Sequence, residues 1–369
     1  MAFLRLEMRL ERSKSLDYLI PIGSILLALI IGGLILLGTG ANPLAAYREM
    51  FGESLGTGYG ISETLVKATP LMLCGLGVMI TFKMLFWNIG AEGQLHMGAF
   101  AATFVVLTGW EGSAWTMIPT MMLAGMIAGA VWALIPALLK VKLNINEIIT
   151  TLLLNYVAIL WVDYLVYGPW KDPGTLNFPL TKQFPAGAQL LRFGDTRVHL
   201  GIIFAVVAAV ILYYLQERSR WGFEIAVMGE NSRAAEYAGM KTGRNILLVM
   251  LISGGLSGLA GMVEVSGIQL RLLHGISPPN APYGYTAIIV AWLARRNPWG
   301  VVLVSILLGS LYVGGEALQI EMKLPVNIVI IIQALILFFV LGGDILSRYR
   351  LVYGSGSLPG KGASAAARG

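Results

Sequence analysis

Long apolar runs recur along the whole chain, separated by short polar stretches. Ten of them approach the roughly 20 residues a helix needs to cross a hydrocarbon core with every backbone amide satisfied internally. They are 18–38, 65–83, 88–108, 115–139, 147–167, 199–216, 245–266, 283–296, 299–316 and 325–343. The pattern predicts an all-α fold, a polytopic transmembrane helical bundle of about 10 spans. Two runs are irregular. Segment 88–108 carries Asn88, Glu92, Gln94 and His96 in its first half, and 283–296 is short enough to be a half-helix or a re-entrant segment. The basic-then-apolar start also fits a signal peptide. The run from Tyr18 to Leu37 is long for one and reads as a retained first span.

Composition supports the membrane reading. Hydrophobic residues make up 56% of the 369, charged residues only 12%, and mean hydropathy is +0.73. A soluble domain carries about twice that share of charge, so a soluble enzyme, a disordered regulator and a nucleic-acid-binding domain are excluded. The net charge of +6 reflects topology instead. With ten spans both termini share one side, and that side collects 18 of the 26 Lys and Arg residues. Basic residues are retained inside, which makes both termini cytoplasmic. The chain then divides into a cytoplasmic segment 1–17, a membrane domain 18–345 and a flexible cytoplasmic tail 346–369 rich in Gly, Ser and Ala. Loop 217–244 lies inside. Loop 168–198 lies outside, where Pro169, Pro173, Pro179 and Pro185 suggest an ordered cap.

Several chemistries have no residues to carry them. The single cysteine, Cys74, and the scattered His96, His199 and His274 offer no structural zinc site. Gly360-Lys361 fails as a phosphate-binding loop, because Ser355 stands where a Gly is needed and Gly362 where a Ser or Thr is needed. No catalytic or metal-ligating set emerges. Small residues at Gly125–Gly129 and along 254–261 suit close helix packing.

Polar residues inside spans are costly and default to functional hypotheses. The densest group is Asn88-Ile89-Gly90-Ala91-Glu92-Gly93-Gln94-Leu95-His96. On a helix Asn88 and Glu92 share a face, as do Glu92 and His96. Two readings stand: a polar clamp between helices, or contact with a transported solute. Asn155 and Tyr156 lie mid-span, and Glu264, Gln269 and Arg271 could line a vestibule. Most tryptophans flank spans as interfacial anchors; for Phe86 and Trp161 the sharper reading is stacking on a solute ring. In loop 217–244, Ser232–Met240 is predicted helical with Asn231 or Ser232 as N-cap, and Ala235, Ala238 and Gly239 on one side.

The run NIGAEGQLHMGAF (88–100) resembles the motif of permease subunits of bacterial ABC importers for nucleosides and simple sugars, the branched-chain amino acid/ribose-type permeases. NEIITTLLLNYVA (146–158) looks like the family's next block, and GFEIAVMGENSRAAEYAGM (222–240) resembles its coupling loop. The resemblance implies a transport subunit of the bacterial cytoplasmic (inner) membrane that performs no chemistry and binds no cofactor. ATP is used by a partner ATP-binding subunit. The other implied partners are a second permease and an extracytoplasmic substrate-binding protein, with the lipid bilayer around them and no nucleic acid. The implied coupling residues are Gly222, Gly229, Glu230, Asn231, Arg233, Ala234, Ala235, Glu236 and Gly239. The expected solute pathway holds Phe86, Asn88, Glu92, Gln94, His96, Asn155 and Trp161. An ion-coupled secondary transporter is the rival; it would need paired midplane carboxylates, and Glu92 has no counterpart in the second half. A polytopic membrane enzyme would need acidic residues and His clustered at one interface, and here they are scattered.

Overall fold

In the computed structural model the described residues are 3–8, 14–109, 112–175, 178–278 and 282–354. The tail carrying Gly360-Lys361, and Trp110, lie outside them. The chain divides into two units, residues 1–40 with 331–369, and residues 41–330.

The first unit holds helix α1 (Lys14–Gly38) and most of helix α13 (Val326–Arg348). A Cβ on Gly343 would overlap Ser24 Oγ, so these helices meet closely there. Strands β1 (Phe3–Met8) and β2 (Tyr349–Gly354) pair antiparallel, with Glu7 opposite Arg350 in register. The expected all-α class is thus nearly right, and the strands correct it. FLRLEM alternates apolar and polar residues with period two, which suits a strand. The tail expected to be flexible from 346 continues as helix to Arg348 and as strand to Gly354.

The second unit contains helices α2 (Pro43–Leu55), α3 (Gly58–Lys83), α4 (Ala91–Leu107), α5 (Ala114–Leu143), α6 (Glu147–Tyr167) and α7 (Gly201–Arg218). It continues with α8 (Arg220–Glu230), α9 (Ser232–Tyr237), α10 (Thr242–Glu264), α11 (Tyr283–Leu293) and α12 (Pro298–Glu321). Helix α3 is central: 89% of its apolar window is buried, against 28% for α5 and α6. Helices α4, α5 and α3 pack around α10, and α2, α3 and α11 contact α12.

Each of the ten expected segments coincides with a helix, but six helices among the described residues are long and apolar enough to cross a membrane alone. A seventh candidate is the consecutive pair Gly23–Gly38 and Pro43–Leu55 taken together. The polar stretch 84–90 interrupts the chain and leaves α4 at 17 residues, while α11 has 11. These are the two runs whose sequence was irregular.

At the α5–α10 crossing the backbones touch. A Cβ on Gly129 would overlap the carbonyl oxygen of Gly254, and one on Gly258 that of Gly125. The small residues seen in the sequence are therefore a packing device.

Candidate functional site

Helix α3 ends at Lys83, and the backbone bends through Leu85, which has φ 55°. Beyond the exposed Leu85 the break to Gly90 is mostly buried, so its amides need partners. The Asn88 side chain, which accepts from Gly90 N–H at 2.9 Å, and side chains of the distant α6 supply several of them. Thr151 Oγ1 accepts from Ile89 N–H at 3.3 Å, and Asn155 Nδ2 donates to the Ile89 carbonyl at 2.8 Å. Asn155 Oδ1 accepts from Gly93 N–H at 2.8 Å, in the first turn of α4. That turn has no side-chain cap of its own, because Gly90 stands at the N-cap.

Asn88 and Gln94 exchange hydrogen bonds at 3.1 and 3.2 Å, and Asn88 Nδ2 also donates to Ser253 Oγ on α10 at 2.9 Å. Glu92 reaches α11. Its Oε2 accepts from Gly284 N–H at 2.7 Å, in a first turn whose own N-cap, Pro282, makes no side-chain hydrogen bond. A carboxylate at a helix N-terminus also meets the positive end of the helix dipole. His96 Nδ1 faces the Glu92 carbonyl at 2.8 Å and Glu92 Oε1 at 3.6 Å.

The structure thus brings Asn88, Glu92, Gln94, His96 and Asn155 into one buried knot joining α4, α6, α10 and α11. Their polar groups bond within the chain, as the clamp reading expected. Phe86 is buried as well. Trp161 lies apart on α6 and is 43% exposed. It is edge-on to Phe100 at 6.1 Å and stacked with Tyr164 at 6.0 Å, while Phe100 stacks on Trp170 at 5.3 Å. Sequence reasoning missed Thr151, Ser253, Gly284 and Tyr285, whose hydroxyl accepts from Asn155 Nδ2 at 3.2 Å. Thr151 stands one helical turn before Asn155 and could have been found. Ser253 is 165 residues from Asn88 and carries no local signal.

The expected loop 217–244 begins in the end of α7 and closes in the start of α10, with two short helices between them. Ser219 caps α8 by accepting from Gly222 N–H at 3.0 Å, and Asn231 caps α9 by accepting from Ala234 N–H at 3.1 Å. The predicted Asn231 cap is present; helix α8 was not foreseen. Helix α8 is anchored inward. Trp221 Nε1 donates to Asn245 Oδ1 at 3.2 Å, and Asn245 Nδ2 donates to Glu224 Oε2 at 2.8 Å. Gly222 packs on the end of α7, and Gly229 on the Lys83 carbonyl.

The expected face of Ala235, Ala238 and Gly239 is not one surface. Ala235 is fully buried, whereas Glu230, Asn231, Arg233, Ala234, Glu236, Ala238 and Gly239 are exposed and Tyr237 is 94% exposed. The reason is the helix end. Gly239 takes φ 79°, its N–H donates to the Glu236 carbonyl at 2.9 Å, and Met240 N–H donates to the Ala235 carbonyl at 3.0 Å. This left-handed closure ends the helical path after Tyr237, so Ala238 and Gly239 do not continue the buried face of Ala235. Ala238, Gly239 and Met240 then line a surface cleft of about 670 Å³ with Phe223, Glu224 and Arg218.

At the other end of α6 and α10, described residues of the 168–198 loop and the stretch to His199 bond to α6, to the π-helical turn and to the stretch after it. Leu180 bridges Leu273, Leu190 N–H donates to the Ser266 carbonyl at 3.0 Å, and His274 pairs with Asp163 at 2.7 Å. His199 is buried in this cap. Its Nδ1 accepts from Gly201 N–H at 3.1 Å. Burial first, and the charges of Arg192 and Arg197 second, hold its imidazole down to about 4.

A family model described as branched-chain amino acid transport system / permease component matches residues 60–341. The chain belongs to this family. The permease is similar to a glucose ABC transporter permease protein of Haloferax volcanii, 39% identical over 91% of this chain and 90% of the relative. It is 34% identical to a guanosine ABC transporter permease protein of Bacillus subtilis, over 94% of this chain and 98% of the relative. A nucleoside ABC transporter permease protein of Lactococcus lactis is 28% identical over 89% of this chain and 92% of the relative. The permease is a multi-pass membrane protein and a transport component, with the buried knot and the α8–α9 segment built into residues the family model covers.

Proposed function

We propose that this permease moves a nucleoside or simple sugar inward across a cytoplasmic membrane by alternating access, driven by ATP hydrolysis on a partner subunit. The observation that carries the reading is the α8–α9 segment. Two capped helices stand between α7 and α10, anchored through Trp221 and Asn245 yet presenting Tyr237 and the Phe223–Gly239 cleft outward. An element both anchored and exposed transmits a push from a docked ATP-binding subunit. Sugar and nucleoside solutes are supported by the named functions of the relatives.

The proposal includes ten membrane segments with both termini cytoplasmic, which the Lys and Arg distribution supports. Helices α4 and α11, too short to cross alone, meet through Glu92 and Gly284. The machine would hold a second permease and an extracytoplasmic binding protein, and this chain would bind no cofactor. In the pathway, the buried knot of Asn88, Glu92, Gln94, His96 and Asn155 would shape the wall beside Phe86, while Trp161 offers an exposed ring.

The test is reconstitution of the permease with and without its ATP-binding subunit in proteoliposomes. ATP-dependent accumulation of labelled guanosine or glucose is expected only with both. Accumulation by this chain alone under an ion gradient would sink the reading.

A further inference from the structure

Several buried polar groups outside the knot lie at the far end of α10. There the helix widens into a π-helical turn, Val265–Gln269, a feature that often marks functional sites. The wider turn sets Glu264 and Gln269, five residues apart, on one face. Gln269 Nε2 donates to the Ile276 carbonyl at 2.7 Å and to Glu264 Oε1 at 3.4 Å. These contacts fix the amide, because its oxygen turned that way would face two acceptors. Gln269 Oε1 is left buried with no donor among the described residues.

Helix α3 adds a second acceptor. Glu63 Oε2 accepts from Arg197 at 2.9 Å, while Glu63 Oε1 is buried without a donor among the described residues. Lys67, one turn further along, pairs with Glu316 at 3.0 Å. The charges of Lys67 and Arg197 both reach Glu264, yet each is committed to another carboxylate. Glu264 is 5% exposed and has no ion pair among the described residues. Ser277, 6% exposed and next to Ile276, also has an unpartnered hydroxyl.

The neighbourhood therefore holds two buried acceptors without a donor, Glu63 Oε1 and Gln269 Oε1, and the hydroxyls of Ser266 and Ser277 without a partner among the described residues, while a third cation, Arg192, donates to the Gly267 carbonyl at 3.3 Å. A buried acceptor without a donor is costly. The fitting ligand brings hydroxyl groups, which donate to the free acceptors and pair with the serine hydroxyls in either sense. We propose that Glu264, Gln269 and Glu63 form a recognition site for the hydroxyl groups of a polyhydroxylated ring, such as the ribose of a nucleoside or a hexose. A carboxylate accepts from two vicinal hydroxyls at once, as it does from a guanidinium fork. The groups are buried in this structure, so solute would meet them at another stage of the transport cycle. The inference rests on the reading of the chain as a nucleoside or sugar permease.

The test compares ATP-driven uptake of guanosine and 2′,3′-dideoxyguanosine, and of glucose and 2-deoxyglucose, by the whole importer in proteoliposomes. Glu264→Gln should lower uptake of a transported parent solute about tenfold, the scale of one hydrogen bond to a charged group. Its uptake of the matching deoxy solute should stay unchanged, which also shows that the variant assembles. If Glu264→Gln fails to assemble, Glu63→Gln is read by the same ratio. Equal loss of parent and deoxy solute, or no loss of either, overturns the site while leaving the permease reading intact. Failure of the wild-type importer to take up guanosine and glucose overturns both.

Discussion

The carboxylate of Glu92 on α4 accepts from the backbone N–H of Gly284 at 2.7 Å and so caps α11 from a different helix. Replacing it with Ala leaves a buried N–H unpaired, at a cost of about 1–3 kcal/mol. Glu92→Ala should lower the thermal midpoint of the purified permease and reduce uptake. Glu92→Gln keeps an acceptor and should recover most of the stability. Equal midpoints for wild type and Glu92→Ala would show that the cap contributes nothing.

Asn155 serves the α3–α4 break at both ends, donating to the Ile89 carbonyl and accepting from Gly93 N–H. Asn155→Leu fills similar space but orphans both groups, which predicts a loss of about 2–4 kcal/mol from two unmet partners. Asn155→Asp keeps the acceptor alone and should fall between. Denaturation of detergent-solubilised protein, followed by tryptophan fluorescence, gives the order.

At the α5–α10 crossing, Gly254→Ala should be severely destabilising, because a Cβ there would overlap the Gly129 carbonyl and crowd Ala133. Its neighbour is the control. A Cβ on Gly255 meets nothing nearer than the Met126 carbonyl oxygen at 3.7 Å, and Ala gains about 1 kcal/mol over Gly inside a helix. Gly255→Ala should therefore raise the thermal midpoint or leave it unchanged. The reverse order would contradict the packing.

The α8–α9 segment separates coupling from folding. Tyr237 projects outward, so Tyr237→Ala should spare stability while lowering stimulated ATP hydrolysis by the assembled importer. Ala235 is buried, so Ala235→Arg should damage the permease itself, since an unpaired buried charge costs several kcal/mol. If Tyr237→Ala hydrolyses ATP and transports normally, docking uses another surface.

His199 gives the cap a pH dependence. Its imidazole is held down to about 4, from an ordinary value near 6.5, chiefly by burial. The unfolded chain therefore takes up a proton that the folded one refuses. Stability from this group is present above about 6.5 and is lost as pH falls toward 4. Proteolysis of segment 168–200 should accelerate across that window in wild type, and the acceleration should shrink in His199→Gln.

The sequence made some features legible because their signals are local. Apolar runs marked the helices, and Asn231 marked the α9 cap. The same kind of signal was present at Asn42-Pro43, where Asn42 accepts from Leu44 N–H at 3.0 Å to start α2, but a helix of low hydropathy escapes a search for spans. The knot was legible as a list of residues and not as an arrangement. Its partners Ser253 and Gly284 lie 165 and 192 residues from Asn88 and Glu92, and only folding brings them together. Ala238 and Gly239 leave the face of Ala235 because α9 ends at Tyr237 and Gly239 is left-handed, which a helical face drawn past the helix end does not anticipate.

The glycine seam between α5 and α10 has a mechanical consequence. Side chains give neighbouring helices room to slide by changing rotamer. Where two backbones touch directly, as at Gly129 and Gly254, no such bearing exists. Helices α5 and α10 are therefore obliged to travel as one strut. Any rearrangement that opens a route for solute has to flex around that strut, at the lightly packed flanks of α6 and α7 or at the non-helical links beside them.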